Sequence, residues 1–526
     1  MKKIIAIALC VFMVLSMMTV SVFAEGNELM SDVYVSATGS DRAAGTVGAP
    51  TNSIVRAMSA VKDGGTIHID GTIVVPEGLS FNKNISIVGD DKSTDILDLS
   101  AMPEGINLGG KTYFDGVTLK SSDYLIIAAN GNTLVVGENC ATSGEIGVYG
   151  GGYKVHVSDG GTNVTLLSGR YTEAYGGGHQ GNVTGDTHIT VGGSASVFND
   201  ANEGEVATNL YVMKSNIFGA GFGGNVDGST YVVLSGDANQ ATFPKDFSES
   251  NHSSSLHYVF GGGYNCKVTG STNVRITGNA TAHYVFGGMY GSSTFSSAES
   301  PIRGGSNVTM DGGRIYGIYG ASSGYDQGSS ANVIMLGGTV SQIIGASHVS
   351  NHTGNVNIKL LGGKITRRVF GGCYNDASGL FTYTFESDYC VIGEGKSITV
   401  TVDSRADITI NQNADNAFSA HSRRENNAGE VEAHIVFTSE EFKNTHTFKI
   451  SVGDVSGGSA YDSISVQALL VGDVNLDGVV DENDAMAIFR YVFDKDAYAL
   501  LDSSLADANA DGKVTNADVL HILKGN

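Results

Sequence analysis

Short hydrophobic runs that end in glycine recur along most of this chain. In one motif an aliphatic residue precedes a second large apolar residue and then glycine. The second member of these pairs recurs at intervals of 26, 43, 42, 26, 33, 25 and 26 residues. These second members are Tyr149, Tyr175, Phe218, Phe260, Phe286, Tyr319, Ile344 and Phe370. The chain therefore has a base repeat of about 25 residues, lengthened by insertions in some repeats.

A second motif alternates apolar and polar residues before glycine, as in NVTLLSG, THITVGG and NVIMLGG. This alternation predicts strands. A unit of this size cannot bury its apolar side alone, so we expect the repeats to stack, with each strand pairing with its equivalent one turn away. The residues expected to form an inward apolar column are Val164, Val274, Val308, Val333 and Ile358.

The pattern predicts an all-β fold, a right-handed parallel β-helix, over residues 25–380. In residues 381–469 glycine no longer recurs at regular intervals. Apolar and polar residues alternate there in a way that predicts antiparallel strands, so we assign these residues to a small β-rich module. Residues 470–526 form a separate C-terminal segment. A β-propeller is the structural alternative, and it ranks lower because its blades usually need about 40–50 residues.

The opening of the repeat region predicts a short helix with Ile54, Ala57, Met58 and Val61 on one face. Such a helix would cover the exposed end of the first coil, where an open strand edge invites aggregation. This opening resembles that of pectate-lyase-like right-handed parallel β-helix proteins. The resemblance extends loosely over residues 32–380.

Residues 1–24 have the features of a secretory signal peptide. Lys2 and Lys3 precede an apolar run that ends at Val22-Phe23-Ala24. No later segment has about 18 consecutive apolar residues, so the mature chain is not expected to span a membrane. The protein is therefore predicted to be secreted, either extracellular or held at the cell surface through a scaffold.

Net charge limits the kinds of partner that this protein is expected to bind. The formal charge is −23, which argues against nucleic-acid binding by a general basic surface. The 72 glycines agree with a fold rich in turns, and the scarcity of proline, 5 residues, agrees with strands whose backbone N–H groups are needed as hydrogen-bond donors between strands.

Export permits disulfides, but the alternative, small buried thiols, is favoured for the four cysteines of the mature chain. These are Cys140, Cys266, Cys373 and Cys390.

A column of mostly aromatic residues follows four positions after the repeated apolar pair. If this column faces outward, its rings could stack against sugars; if it faces inward, it fills the coil, which is the interpretation that we favour. The column comprises Tyr153, His179, Phe222, Tyr264, Tyr290, His348 and Tyr374, and Ser323 interrupts it. The candidates for carbohydrate stacking are Tyr153, His179, Tyr264, Tyr290 and Tyr374.

Catalytic residues are not evident. A glycosidase needs clustered carboxylates, yet the acids of the repeats are scattered and most occupy positions typical of turns. These acids are Asp115, Asp159, Asp186, Asp227 and Asp311. Arg367, Arg368, Arg423 and Arg424 could contact an acidic polymer, although solvated surface positions are the more common role. The sequence leaves open whether the repeat region is an enzyme; as an enzyme it would be a polysaccharide lyase or a glycoside hydrolase.

The last 55 residues contain two similar loops offset by 34 residues, each followed by a predicted helix. Oxygen ligands at positions 1, 3, 5, 7 and 12, with glycine at position 6, are the pattern of a calcium-binding loop. Position 12 is Asp in both loops, where the ordinary EF-hand has Glu. The first set of predicted ligands is Asp473, Asn475, Asp477, the carbonyl of Val479, and Asp484; the second is Asp507, Asn509, Asp511, the carbonyl of Lys513, and Asp518.

This duplicated arrangement of loop and helix resembles the type I dockerin over residues 471–526. The resemblance implies two Ca²⁺ ions and a cohesin module of a scaffoldin as partner, in a cellulosome. The predicted cohesin-binding residues are Glu482, Asn483, Phe489 and Arg490 in the first half, and Asn516, Ala517, Leu523 and Lys524 in the second. The two halves differ, and the usual Ser-Thr recognition pair is absent.

Together these features predict a secreted cellulosome-type component that docks on a cohesin and acts on plant cell-wall polysaccharide in polysaccharide catabolism. The alternative is a non-catalytic carbohydrate-binding or adhesive surface protein, and a third possibility is a purely structural protein that the dockerin anchors.

Overall fold

The structure is a computed structural model, mostly β, with few helices. It describes residues 29–198, 215–240, 257–291, 301–348, 350, 352–370, 397–402, 407–408, 418–426, 429–437, 446–451, 463–468, 471–475, 480–495, 498, 500, 503–509 and 511–525. The side chains of Ser504 and of the described residues 367–370 and 397–468 are not included. The predicted signal peptide, Tyr374, Asp477, Val479, Cys373 and Cys390 lie outside the described residues.

One long parallel ladder, which we name ladder A, carries the alternating motif. Each strand pairs with its equivalent in the next repeat, so that Val164 lies beside Ile189 and Val308 beside Val333. The strands of ladder A are Met30–Ser36, Val61–Asp70, Ile85–Gly89, Thr112–Asp115, Thr133–Val136, Thr162–Leu166, Thr187–Val191, Thr230–Leu234, Thr272–Ile276, the first halves of Ser306–Tyr319 and Ala331–Ile344, Val356–Leu360, and Ser397–Val402.

A second parallel ladder, ladder B, carries the pairs of apolar residues. Tyr149 lies beside Tyr175, and the register continues through Phe218 and Phe260. Its strands are Gly105–Asn107, Leu125–Ala128, Ile146–Tyr149, Glu173–Tyr175, Asn216–Phe218, Tyr258–Phe260, Thr281–Phe286, the second halves of Ser306–Tyr319 and Ala331–Ile344, and Lys364–Phe370.

Short strands pair in three smaller parallel sheets. The four-stranded sheet contains Thr72–Val74, Ile96–Asp98, Thr118–Lys120 and Ala141–Ser143. The two-stranded sheets pair Arg170–Tyr171 with Ser196–Val197, and Val183–Thr184 with Val226–Asp227. The repeats predicted from sequence therefore correspond to strands that pair with their equivalents in neighbouring repeats.

The main core lies on the inward face of ladders A and B. The column predicted from sequence, Val164, Val274, Val308, Val333 and Ile358, belongs to this core, and each member is at most 2 % exposed. The predicted helix is α1, Ile54–Ala60, capped by the side chain of Ser53. Its residues Ile54, Ala57 and Met58 are buried in the same core.

The glycine that ends each apolar pair is required by close contact between repeats. A Cβ atom at Gly176 would lie 2.2 Å from the carbonyl oxygen of Gly219, and one at Gly219 would lie 2.1 Å from that of Gly261. No side chain fits at such distances, and the same close contact recurs at each step from Gly150 to Gly320.

Ladder A continues beyond residue 380. Strand Ser397–Val402 pairs in parallel with Val356–Leu360, and Asp407–Ile408 pairs in parallel with Lys364–Phe370. Antiparallel pairs involve this same strand Ser397–Val402 and the strands that follow it. They join Phe418–Asn426 with Gly429–Phe437, His446–Ser451 with Ser463–Ala468, and His446–Ser451 with Ser397–Val402.

The C-terminal segment contains helix α2, Glu482–Phe493, a 3-10 turn, Ser503–Ala506, and helix α3, Asn516–Leu523. The two α-helices pack around a small core of Val474, Ala485, Ile488, Leu505, Ala506, Val519 and Ile522. Among the described residues, no helix combines the length and hydrophobicity that crossing a membrane requires.

Candidate functional sites

The two C-terminal loops share one hydrogen-bond design. Asp484 Oδ1 accepts the N–H of Asn475 at 3.1 Å, and Asp518 Oδ1 accepts the N–H of Asn509 at 3.2 Å. Each aspartate is also the third residue of the following helix and completes its capping box: Asp484 Oδ2 accepts from Asp481 N at 3.0 Å, and Asp518 Oδ2 accepts from Thr515 N at 2.8 Å. Position 12 of each loop is thus a fully buried carboxylate, held between the loop and the first turn of the helix.

The second loop is described almost completely. Asp507 accepts the N–H groups of Asp511 at 3.0 Å and Gly512 at 2.8 Å, and Gly512 has a φ of +83°, as the sharp turn at position 6 requires. Asn509 Nδ2 donates to Asp511 Oδ2 at 3.2 Å. These side chains supply carboxylate and amide oxygens, which are the hard ligands that Ca²⁺ prefers.

In the first loop Asp473 is 1 % exposed and Asp484 is fully buried, while Asp477 and Val479 lie outside the described residues. Burial of carboxylates is costly, and a cation held by the oxygen ligands of either loop would offset that cost. Across the described part of the chain, no three or more Asp, Glu, His or Cys side chains converge as a ready metal site.

All eight residues predicted to bind cohesin are exposed. Phe489 is 47 % exposed on α2, and Leu523 is 58 % exposed on α3. The sequence analysis missed Met486 and Phe493 on α2 and Leu520 on α3, whose exposed fractions are 50, 82 and 54 %. Helical spacing from Glu482 and Phe489 would have found Met486 and Phe493.

The aromatic column forms in the predicted register. Bridges link Tyr153 to His179, Phe222 to Tyr264, Tyr264 to Tyr290, and Tyr290 through Ser323 to His348. The rings stack on one another: His179 lies 5.0 Å from Phe222 with planes 8° apart, and Phe222 lies 5.2 Å from Tyr264 with planes 10° apart. They are half-buried against a second, fully buried aromatic column that includes Tyr175, Phe218 and Phe260. The faces of these rings are therefore occupied by neighbouring rings.

Tyr153, at one end of the described column, is also covered on both sides. Its ring packs over Gly105, where a Cβ atom would lie 2.3 Å away, and Lys154 Nζ is 4.5 Å from the ring centroid. Its hydroxyl donates to Glu104 at 2.9 Å. In the structure these rings pack on one another and on neighbouring side chains, and carbohydrate stacking by them stays a prediction.

A buried acid that the sequence analysis missed lies beside this column. Glu173 is 5 % exposed, and its Oε1 accepts hydrogen bonds from Tyr124 and, at 2.5 Å, from Tyr149. Tyr124 reaches across a whole repeat because Gly147 lies between; a Cβ there would be 2.9 Å from the Tyr124 hydroxyl. Burial, followed by the Glu173 carboxylate, raises the pKa of Tyr124 and of Tyr149 above the ordinary value.

Two further polar atoms in this region have no hydrogen-bond partner among the described residues. They are the hydroxyl of Tyr175 and Nδ1 of His179. Burial, and then the charge of Lys154, lower the pKa of His179. We call Glu173, Tyr124, Tyr149, Tyr175 and His179 the Glu173 cluster.

The scattered aspartates mostly connect neighbouring repeats. Asp115 accepts from Asn139 N at 3.0 Å, Asp186 from Ser229 N at 2.7 Å, and Asp227 from the Thr269 hydroxyl at 2.7 Å. Asp311 pairs with Arg275. The side chains of Arg367, Arg368, Arg423 and Arg424 lie outside what the structure describes.

Comparison with known proteins identifies the C-terminal segment. Residues 471–524 match the family described as the dockerin type I domain, and this part of the chain is a type I dockerin domain. Domains of this type bind calcium and dock on cohesin modules in cellulosomes, whose dockerin-bearing components are extracellular.

No curated protein matches the chain. A solved structure described as a rhamnogalacturonan lyase aligns with 72 % of this chain and 87 % of its own, at 13 % identity and a TM-score of 0.27. A likeness at this level says nothing about fold or activity here.

Proposed function

We propose that this chain is a secreted component of a cellulosome-type assembly. Its dockerin would bind a cohesin of a scaffoldin in a calcium-dependent manner, and residues 25–380 would form a right-handed parallel β-helix that acts on plant cell-wall polysaccharide. The observation that carries the proposal is the dockerin match at residues 471–524, together with the identical carboxylate geometry in its two loops.

Two calcium ions fit this proposal. The first would be held by Asp473, Asn475, Asp477, the Val479 carbonyl and Asp484, and the second by Asp507, Asn509, Asp511, the Lys513 carbonyl and Asp518. Bound calcium would supply positive charge that compensates these carboxylates. The buried side chains of Asp484 and Asp518 would tie each loop to its helix, and this would orient α2 and α3 for docking.

The cohesin would contact the exposed side chains of both helices. Glu482, Asn483, Phe489 and Arg490 lie on α2, and Asn516, Ala517, Leu523 and Lys524 lie on or just after α3. The exposed apolar side chains Met486 and Leu520, which are also offset by 34 residues, extend this surface. Large exposed apolar side chains are typical of partner surfaces.

The docking proposal is tested with the purified full-length chain and a panel of cohesins, with calcium and with EDTA. We expect at least one cohesin to bind with calcium and to dissociate with EDTA. Phe489→Ala should weaken this binding, whereas Val55→Ala, an exposed apolar position on the distant helix α1, should not. Binding that persists in EDTA would contradict the calcium dependence.

A catalytic role is the second candidate for the repeat region, and the Glu173 cluster favours it. A carboxylate among tyrosines, beside two buried polar atoms without partners, has the groups that general acid or base catalysis uses. Incubation with pectin, xylan and cellulose would then yield reducing ends or unsaturated uronates, and Glu173→Gln would abolish the products. Retention on the polymer without products would instead support the non-catalytic alternative.

A further inference from the structure

The outward face of ladder A contains an open cleft of about 420 Å³. Strands from four consecutive repeats line it, and three of its residues are Tyr231, Asn273 and Arg275. Alternation along each strand accounts for the position: Val232 and Val274 are buried in the core, so their neighbours project from the other face. This face lies on a different ladder from the aromatic column.

The floor of the cleft contains Asn273 and Asn307, which belong to a ladder of amide groups that continues outside the cleft to Asn332. Asn307 Nδ2 donates to Asn273 Oδ1 at 3.0 Å, and Asn332 Nδ2 donates to Asn307 Oδ1 at 2.9 Å. Asn273 Nδ2 is directed to the Thr230 carbonyl at 3.0 Å. An amide oxygen has two lone pairs, and the ladder uses one of them. The floor is therefore a rigid row of hydrogen-bond acceptors, spaced by about 4.8 Å along the ladder.

The walls supply an aromatic ring, an ion pair and an apolar edge. Tyr231 stacks on His188 with centroids 4.6 Å apart and planes 3° apart, which holds its ring upright at the margin of the cleft. Arg275 pairs with Asp311 at 2.7 Å, with 60 % of the Arg275 side chain exposed. Hydrogen bonds from Thr277 and Arg275 lower the pKa of Asp311, so the pair stays ionised at neutral pH. Leu336, 48 % exposed, completes the lining.

These groups select the chemistry of a ligand. Rows of acceptors with an aromatic ring and an exposed leucine suit a molecule that presents both hydroxyl groups and C–H faces, as a sugar does. The ion pair contributes no net charge, and the chain as a whole carries −23, which disfavours a polyanion. Strand addition by a peptide needs a sheet edge, and the cleft lies on a sheet face whose backbone groups pair between repeats.

We infer that this cleft binds a neutral glycan, with the chain of sugars running along the stack of repeats and over Tyr231, the asparagine row and Arg275. Four repeats span about 14 Å, which is room for a short oligosaccharide. The inference rests on the proposed action on polysaccharide and names its binding site and substrate class.

The test is isothermal titration of the full-length protein with cellohexaose, xylohexaose and mannohexaose, and with oligogalacturonate as the anionic probe. We expect one neutral hexaose to bind, and Tyr231→Ala and Arg275→Ala to weaken its binding about tenfold or more. Tyr34→Ala is the matched control, because Tyr34 stacks on His68 at 4.3 Å and 8° on the same ladder but outside the cleft. Circular dichroism and thermal melting verify that each variant is folded.

The outcomes separate the two proposals. Binding of a neutral hexaose that is unchanged in both cleft variants would overturn the cleft assignment and leave action on polysaccharide standing. Preferential binding of oligogalacturonate would overturn the neutral class of ligand. No binding of any glycan, soluble or polymeric, by the wild-type protein would overturn both the inference and the polysaccharide part of the proposed function.

Discussion

The hydroxyl of Thr230 donates a buried hydrogen bond of 2.5 Å to the carbonyl oxygen of Gly261, the glycine that ends the next apolar pair along the chain. Equivalent bonds join Thr187 to Gly219 and Thr272 to Gly287. Each links the start of a ladder A strand to the glycine column of ladder B. A column of hydroxyl groups therefore joins ladder A to ladder B, in addition to the apolar core.

Replacing Thr230 by valine should destabilise the repeat region by about 1–3 kcal/mol, because a buried carbonyl would lose its partner while the side chain keeps its shape. The measurement is the urea midpoint followed by circular dichroism. Thr230→Ser keeps the hydroxyl, as Ser306 does naturally in its bond to Gly320, and should cost less. Equal losses in the two variants would show that the methyl group matters and the hydrogen bond does not.

Two histidines should make the stability of the repeat region depend on pH. Burial lowers the pKa of His348 and of His352 from the ordinary 6.5 to about 4. Between these values the unfolded chain binds protons that the folded chain does not, so stability is complete above about pH 6.5 and falls as pH decreases toward 4. The expected loss is roughly 3 kcal/mol for each histidine.

Urea midpoints between neutral pH and about pH 4 measure this effect. Carboxylates titrate at the lower end of the same range, so the informative quantity is the difference from a variant with His348→Gln and His352→Gln. That variant should lose less stability on acidification than the wild-type protein does. Identical pH profiles would contradict a role for the two histidines.

The described cysteines should be inert thiols. Cys140 and Cys266 are buried and not in disulfides, and burial raises their pKa to about 11 and about 12. Only the thiolate reacts with iodoacetamide, so neither should be alkylated at about pH 8 in the folded protein, and both should react in concentrated guanidinium chloride. Peptide mapping by mass spectrometry distinguishes them from the other cysteines. Rapid labelling of Cys266 in the folded protein would contradict its burial.

The repeat register could be predicted from sequence because identical positions in successive strands must face the same core. Val308 beside Val333 and Phe260 beside Phe286 follow directly from their spacing. The direction that the aromatic column faces could not be predicted, because an aromatic residue such as Phe222 is compatible with a packed interior and with an exposed surface. Only the ring-to-ring distances show that their faces are covered.

The Glu173 cluster and the cleft were beyond sequence reasoning for a different reason. Tyr124 lies outside both repeated motifs, and its contact with Glu173 depends on the space above Gly147. Arg275 and Asp311 are 36 residues apart in a chain whose repeats differ in length. Their pairing depends on the length of the intervening insertion, which no local sequence pattern predicts.

The most direct test of the account is calorimetric titration of calcium into the metal-stripped full-length protein. The account predicts uptake of two ions per chain, and loss of that uptake when Asp473→Ala and Asp507→Ala are combined, because each removes the first ligand of a loop. No calcium uptake by the wild-type protein, or unchanged uptake by the double variant, would contradict the assignment of these loops and the calcium-dependent docking built on them.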